Sequence, residues 1–405
     1  MHAAGADVLS FQIDSLTRNN EYQRVEQILK GRLDYDLSKA LNGFPAVNSG
    51  VASLALLVEQ FDDTPFQVRH STRDPRLLAE ITFAAGISAF EGGALSYNLP
   101  YYRDYHPAAS IQRWRYVDEL SAMYHLEHGV TIDREFFGVL TACLVPPVIA
   151  IAVNILEALM AAAGGVKAIS VGYSEQGNRA QDLAAIAVLR RLTVDYLGAL
   201  SHPDVYVGVV WHQYMGAFPT DARKAREILV GSAKTAGESD AVRLMLKTWV
   251  EAIRVPSESE NRGSLQLVRE ACNAARRTQI RAVDRVQSAE EELLTIEVRA
   301  IVDHALEAAD GDPFLAAEIA VARGWIDVPF SPSRWNAGQV LPMRDVGRAV
   351  RMANIGLLPF PADVRDEHRR LCVTRTTAER CSVEELIERD IGNIIRGDFD
   401  VWPLA

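Results

Sequence analysis

Apolar, β-branched runs recur along the chain, each followed by a polar turn and a stretch with helical spacing. From Val130 onward the runs begin at Val130, Lys167, Val205 and Val242, so successive starts lie 37, 38 and 37 residues apart, about one βα unit each. Upstream, Phe11 to Ser15, Gly43 to Asn48, Phe66 to His70 and Gly86 to Gly92 read as further short strands. Parallel strands need helical crossovers, and Pro75 to Ala85 and Gln181 to Ala199 have the spacing for them. Eight such strands predict an α/β fold, a closed (β/α)8 TIM-type barrel. From about Asp284 to Ala308 the pattern becomes a long charged helix, followed by short helices and proline-containing turns. The predicted organisation is a barrel over residues 1–283 and a mainly helical extension over 284–405 packed on it, because no linker-like composition separates the two.

The longest apolar stretch, Leu144 to Val166, is interrupted by Pro146, Pro147, Asn154, Glu157 and Gly164-Gly165. It predicts a buried helix that starts at a proline and stops at a glycine, not a membrane span. Met1 to Val8 has neither a basic nor an apolar leader segment, which with the scattered cysteines predicts a cytoplasmic setting. Cys143, Cys272, Cys372 and Cys381 show no CxxC spacing and indicate neither a zinc site nor a disulfide framework. With 42 basic against 53 acidic residues the chain carries a formal charge of -11, which argues against nucleic acid or an anionic membrane as its partner.

Chemistry concentrates between Gln67 and Tyr101. Arg69-His70 closes one predicted strand, Glu91-Gly92-Gly93 closes the next, and Ser96-Tyr97-Asn98-Leu99-Pro100-Tyr101 follows. Strand C-terminal ends are where an α/β barrel keeps its active site. Arg69, and Arg18 in a polar turn, offer forked donors that match a carboxylate; the plainer reading of each is a surface arginine paired with an acid. Glu91 is placed to hold or take a proton from a substrate ammonium, or simply to cap a helix or pair with Arg69. Tyr97 and Tyr101 would make a pocket apolar in body and polar at its tips, although tyrosine pairs also serve as core. Lys247 and Glu251, four apart, read from sequence alone as a helix salt bridge.

Several of these segments, in one order, resemble a known family. Asn42-Gly43-Phe44-Pro45, Val68-Arg69-His70, Leu77 to Ile81, Phe90-Glu91-Gly92-Gly93, Ser96-Tyr97-Asn98, Arg134-Glu135 to Phe137-Gly138, Leu144-Val145-Pro146-Pro147, Val171-Gly172-Tyr173, His212-Gln213 to Met215-Gly216, Lys247-Thr248, Glu251-Ala252-Ile253 and Trp335-Asn336-Ala337-Gly338 are similar to the large (epsilon) subunit of cobalamin-dependent glutamate mutase, also called methylaspartate mutase. The similarity runs roughly from residue 8 to 350.

The resemblance implies a radical carbon-skeleton isomerase interconverting L-glutamate, or a related amino acid, and a 3-methylaspartate-type product. It implies substrate contacts at Arg18, Arg69, His70, Glu91, Tyr97 and Tyr101, with Glu91 handling the amino group. Contacts with adenosylcobalamin fall on Asn42, Pro100, Phe218, Lys247, Glu251 and Val255, while Phe137 and Met215 match apolar neighbours of the reacting centre. The cobalt-ligating histidine of the family lies in an Asp-x-His-x-x-Gly motif on a separate small subunit. The two Asp-x-His sequences here, Asp104 to His106 and Asp366 to His368, have no glycine three residues on. The implied assembly is therefore a heterotetramer, a homodimer of this chain with a small cobalamin-binding partner. The family segment before the counterpart of Val8, with a third substrate arginine, has no match in this sequence. Ala94-Leu95, Phe136, Tyr214, Trp249-Val250 and Arg254 also depart from the family pattern. Three alternatives stay open: a homologue acting on a modified amino acid, a non-catalytic barrel partner, and a metal-dependent lyase or isomerase using Glu91, Glu135, Glu175 and His212.

Overall fold

A computed structural model describes residues 1–31, 41–61, 63–139, 144–278 and 285–396. Its centre is a seven-stranded, all-parallel sheet in sequence order: β1 Leu9–Gln12, β2 Phe66–Arg69, β3 Ala89–Glu91, β4 Asp133–Phe136, β5 Ala168–Ser174, β6 Tyr206–His212 and β7 Arg243–Met245. Helices between successive strands make the crossovers, as parallel pairing requires. Each strand starts within a few residues of a predicted run.

The sheet is curled. In a flat sheet β4 and β7 would lie about 14 Å apart, three strand spacings. Yet Arg243 on β7 donates to Asp133 on β4 at 3.1 Å, and Gln67 on β2 donates to Glu135 on β4 at 2.6 Å. Inward positions alternate with outward ones, so Gln67, Arg69, Glu91, Glu135, His212 and Arg243 meet inside while Val68, Phe90, Ile169, Val171 and Trp211 pack outward under the helices.

Full closure into eight strands is not seen among the described residues, where β1 and β7 form the two ends of the hydrogen-bonded order. The predicted strand Gly43 to Asn48 is reduced to one parallel bridge, Phe44 with Ile13. Pro45 has no N–H to donate, and a helix, Ala46–Glu59, begins directly after it.

The predicted apolar helix runs Pro147–Ala163, with every residue from Pro147 to Ala162 buried. One face lies on β4 and β5; helices Pro107–His128, Arg179–Ala199, Arg285–Ala308 and Pro313–Ala322 cover the rest. Leu294, Val298, Ile301 and Val302 thus share one core with Ile151, Ile155 and Leu159. Helix Arg285–Ala308 packs on helices Arg179–Ala199 and Pro147–Ala163, and the expected 283/284 boundary, like Cys143, lies outside the described residues. Cys272, Cys372 and Cys381 are free thiols.

Sequence reading missed an antiparallel hairpin, β8 Leu341–Arg344 with β9 Val350–Asn354. Its arginines are buried: Arg344 donates to the Gln176 and Arg348 carbonyls, and Arg351 bonds Glu290 and Asp345. Among the described residues no helix is long and apolar enough to cross a membrane.

Candidate active site

The ends of β2 and β3 deliver Arg69 and Glu91 to the same point. Arg69 Nε lies 2.7 Å from Glu91 Oε2, and the Tyr97 hydroxyl donates to Glu91 Oε1. Glu91 is 1% exposed, and the pairing with Arg69 that the sequence left open is present: Arg69 and Tyr97 enclose the carboxylate. Burial pushes the Glu91 carboxyl up, the Arg69 guanidinium pulls it back, and the Glu135 carboxylate pushes it up again. Burial works against the charge on Arg69, but Glu91, Tyr97 and Glu135 outweigh it and hold the guanidinium firmly charged.

Tyr97 is kept in place by a backbone that only glycine allows. Gly92 has φ of 102°, and a methyl group there would overlap the Tyr97 ring. The Gly92 N–H is bonded to the Glu135 carbonyl at 2.8 Å, which ties the turn to β4. The turn then winds helically, with Tyr97 N–H on Gly93, Leu99 N–H on Leu95 and Tyr102 N–H on Asn98. Tyr101 meets Tyr97 edge-on at 5.4 Å, and Phe137 lies 4.8 Å from Tyr97 on its other side.

His70 is buried between Phe90, Tyr97 and Trp114. Burial, followed by the Arg134 charge, lowers its pKa to about 3, so it is neutral at working pH. Its Nδ1 accepts from Thr72 N–H at 3.0 Å, which places the ring proton on Nε2 as a donor. Arg18 ends the short helix Ser15–Arg18, which Asp14 caps through the N–H groups of Leu16 and Thr17. Its Nη1 reaches Ser71 Oγ at 3.4 Å, next to His70. All six predicted substrate positions thus form one cluster.

The positions expected to meet a cofactor fall in two groups, Asn42 and Pro100 near the cluster and the others after the ends of β6 and β7. Asn42 Oδ1 accepts from Ser15 N–H at 2.8 Å, at the start of the helix that carries Arg18. Pro100 is buried between the two tyrosines. Across the sheet, Phe218 packs near Tyr214, and Lys247 donates its N–H to Gln213 and pairs its ammonium with Glu251. Val255 is 86% exposed beside the exposed Ile253. Met215 is partly buried against the main core. An ion pair suited to hydroxyl groups, a buried Thr248 hydroxyl with no partner among the described residues, and an open apolar rim are features a nucleoside-bearing cofactor can use. His106 Nδ1 caps a helix through Ala108 N–H, and both His368 nitrogens are engaged, with Met352 N–H and Glu297.

Beneath the cluster lies a polar layer of which the sequence reading had singled out only Glu135 and His212, and those as members of a metal-ligand set. Glu135 accepts from Gln67 and Arg243 and lies 3.0 Å from His212 Nε2. Burial alone would raise its pKa, but Arg243 and His212 bring it down to about 2. The available signal was periodicity, since Gln67, Asp133, Glu135 and Arg243 are polar positions on strands that otherwise read as apolar. The metal-ligand set Glu91, Glu135, Glu175 and His212 does not gather: Glu91 serves Arg69 and Tyr97, and Glu175 accepts from Tyr214 N–H. Among the described residues no three such side chains are placed to hold a metal ion.

A curled parallel sheet that assembles arginines, a buried carboxylate and phenols at its strand ends defines an α/β enzyme with polar groups where such folds keep an active site. A sequence profile for the methylaspartate mutase E chain matches residues 1–398, and the chain belongs to that family. Similar proteins include the glutamate mutase epsilon subunits of Desulfitobacterium hafniense, 40% identical over 91% of this chain and 76% of the relative, and of Treponema denticola, 40% identical over 94% and 78%. The glutamate mutase epsilon subunit of Haloarcula marismortui is 39% identical over 97% of this chain and 79% of its own.

Proposed function

We propose that this chain is the barrel subunit of an adenosylcobalamin-dependent mutase that interconverts L-glutamate and 3-methylaspartate. The observation that carries the reading is the buried Arg69, Glu91 and Tyr97 cluster, with Arg18 and a neutral His70 at its edge. We take the curled sheet as the wall of a (β/α)8 barrel completed beside β1 at Phe44, with residues 284–405 as its packed extension. The enzyme works in the cytoplasm as a homodimer of this chain joined to a small cobalamin-binding subunit that provides the cobalt-ligating histidine.

Arg69 turns Nε toward Glu91, which leaves its two Nη groups for a substrate carboxylate in a forked pair. Arg18 takes the second carboxylate, and His70 Nε2–H donates as a neutral group. Glu91 receives the substrate ammonium, replacing part of the charge balance that Arg69 supplies in the free protein. Tyr97 fixes the orientation of that carboxylate through its hydroxyl. Asn42, Pro100, Phe218, Lys247, Glu251 and Val255 would hold adenosylcobalamin over this cluster. When bound, the cofactor supplies radical hydrogen abstraction. Phe137, Tyr97 and Leu95, all buried, keep water from the reacting centre.

The test is reconstitution with a small cobalamin-binding subunit from a relative and adenosylcobalamin, followed by incubation with L-glutamate. Formation of 3-methylaspartate is expected. Absence of product under conditions where the relative's own large subunit is active would overturn the reading.

A further inference from the structure

Glu157 sits in the middle of the apolar helix Pro147–Ala163 and is 1% exposed. A carboxylate there is costly unless its position is used. Its Oε1 accepts two backbone N–H bonds, from Leu95 at 2.7 Å and Ser96 at 2.8 Å. These N–H groups belong to the first turn of the winding segment that carries Tyr97 and Tyr101, where a helical run leaves its donors unpaired. Glu157 thus caps that segment from a different helix, sixty-odd residues away in the chain. The fit is close: a methyl group on Gly93 would overlap the Glu157 carboxyl. The second oxygen, Oε2, is buried with no hydrogen bond among the described residues, in a small space lined by Trp114, Asp118 and Arg134.

We infer that Glu157 is a positioning residue for the mutase reaction: by capping the Leu95-Ser96 turn it sets Tyr97 against Glu91 and so fixes the carboxylate that receives the substrate ammonium. The inference rests on the mutase reading for its kinetic consequence but not for the tie itself. The chain of contact is short. Glu157 holds the N–H groups of Leu95 and Ser96, Tyr97 follows directly, and its hydroxyl bonds Glu91. Burial pushes the Glu157 carboxyl up to about 7 although the Ser96 and Leu95 N–H groups draw it down. The groups facing it from neighbouring elements are Asp118 and Arg134, already paired with each other at 2.8 Å. Among the described residues no other acid accepts from the two N–H groups.

Two readouts test this. In the full chain, hydrogen exchange of residues 93–102 should accelerate by roughly ten-fold or more in Glu157→Ala, selectively over the remaining strand ends. In Glu157→Gln, whose amide oxygen can still accept both bonds, it should stay near wild type. In the reconstituted complex Glu157→Ala should raise KM for glutamate and lower kcat, each by about ten-fold, and Glu157→Gln should restore both to within about three-fold. Should Glu157→Ala not fold, Gly93→Ala displaces the same contact from the loop side and must give the same selective loosening and the same kinetic loss. Unchanged exchange of 93–102, or unchanged KM and kcat in a variant whose segment is loosened, overturns the inference. If wild-type complex does not turn over glutamate, the mutase reading fails, and the exchange result still decides the tie.

Discussion

Glu91 and Tyr97 stand six residues apart in the chain, and the Tyr97 hydroxyl donates to the Glu91 carboxylate at the closed end of the site. The intervening Gly92-Gly93 turn exists to make that bond, since one glycine clears the Tyr97 ring and the other clears Glu157. With its second oxygen against Arg69, Glu91 is oriented before any substrate arrives. Glu91→Gln should therefore keep the fold and slow turnover by roughly 10²-fold to 10⁴-fold, the span for a positioned acid or base. Steady-state kcat of the reconstituted complex, beside an unchanged circular dichroism spectrum, checks it.

Arg69→Lys keeps the charge beside Glu91 but removes the fork. Losing one charge-assisted hydrogen bond costs on the order of 1.5 to 3 kcal/mol, so glutamate should bind roughly ten-fold to a hundred-fold more weakly. Measured KM should rise by that factor. An analogue lacking the affected carboxylate should show little difference between the two proteins.

Gly92→Ala is a sharper probe of the turn than any change to the tyrosine itself. The backbone at φ 102° is strained for alanine, and the added methyl meets the Tyr97 ring. A stability loss of about 1–3 kcal/mol in denaturant unfolding is expected, with a drop in kcat exceeding that of Tyr97→Phe, which removes the hydroxyl but leaves the ring in place.

The isolated chain should bind adenosylcobalamin weakly and bind it well only with the small subunit, because neither of its Asp-x-His sequences has the glycine of the cobalt-ligating motif. Mass action then makes partner and cofactor mutually stabilising. Equilibrium titration of the chain alone and of the pair should differ by at least about ten-fold in Kd; equally tight one-to-one binding by the chain alone would contradict the expectation.

Stability should carry the signature of Glu157. Its folded-state pKa is raised from 4.5 to about 7, so the protonated folded form is favoured. That contribution is fully present below the unfolded value and is lost as pH rises through about 7. Relative to Glu157→Gln, which does not titrate, wild type should lose on the order of 3 kcal/mol of unfolding free energy between pH 4 and pH 8. Parallel denaturant titrations across that range measure the difference directly.

The strands were legible as short apolar runs, at near-constant spacing from Val130 onward, and Arg69 and Glu91 were legible because they close two of them. Of the predicted strand Gly43 to Asn48 only Phe44 pairs, with Ile13, because Pro45 ends the donor row. The hairpin at 341–354 was hidden for a different reason. Arg344 and Arg351 look like surface residues, and their partners Gln176, Glu290 and Asp345 are mostly remote in sequence. Glu157 was visible only as an interruption in an apolar helix. Nothing local says that its carboxylate caps a turn some sixty residues earlier, because that relationship exists only after the sheet curls and brings helix and loop together.

The burial of helix Pro147–Ala163 on every side also bears on how the chain is made. Its covering helices, Arg285–Ala308 and Pro313–Ala322, are synthesised long after it. At roughly 5 to 20 residues per second, on the order of ten seconds or more separate the apolar helix from the last of its covers on the ribosome. During that interval the nascent chain presents a continuous oily surface, which makes the first half of this protein a natural client for chaperones and a poor candidate for expression as a truncated fragment.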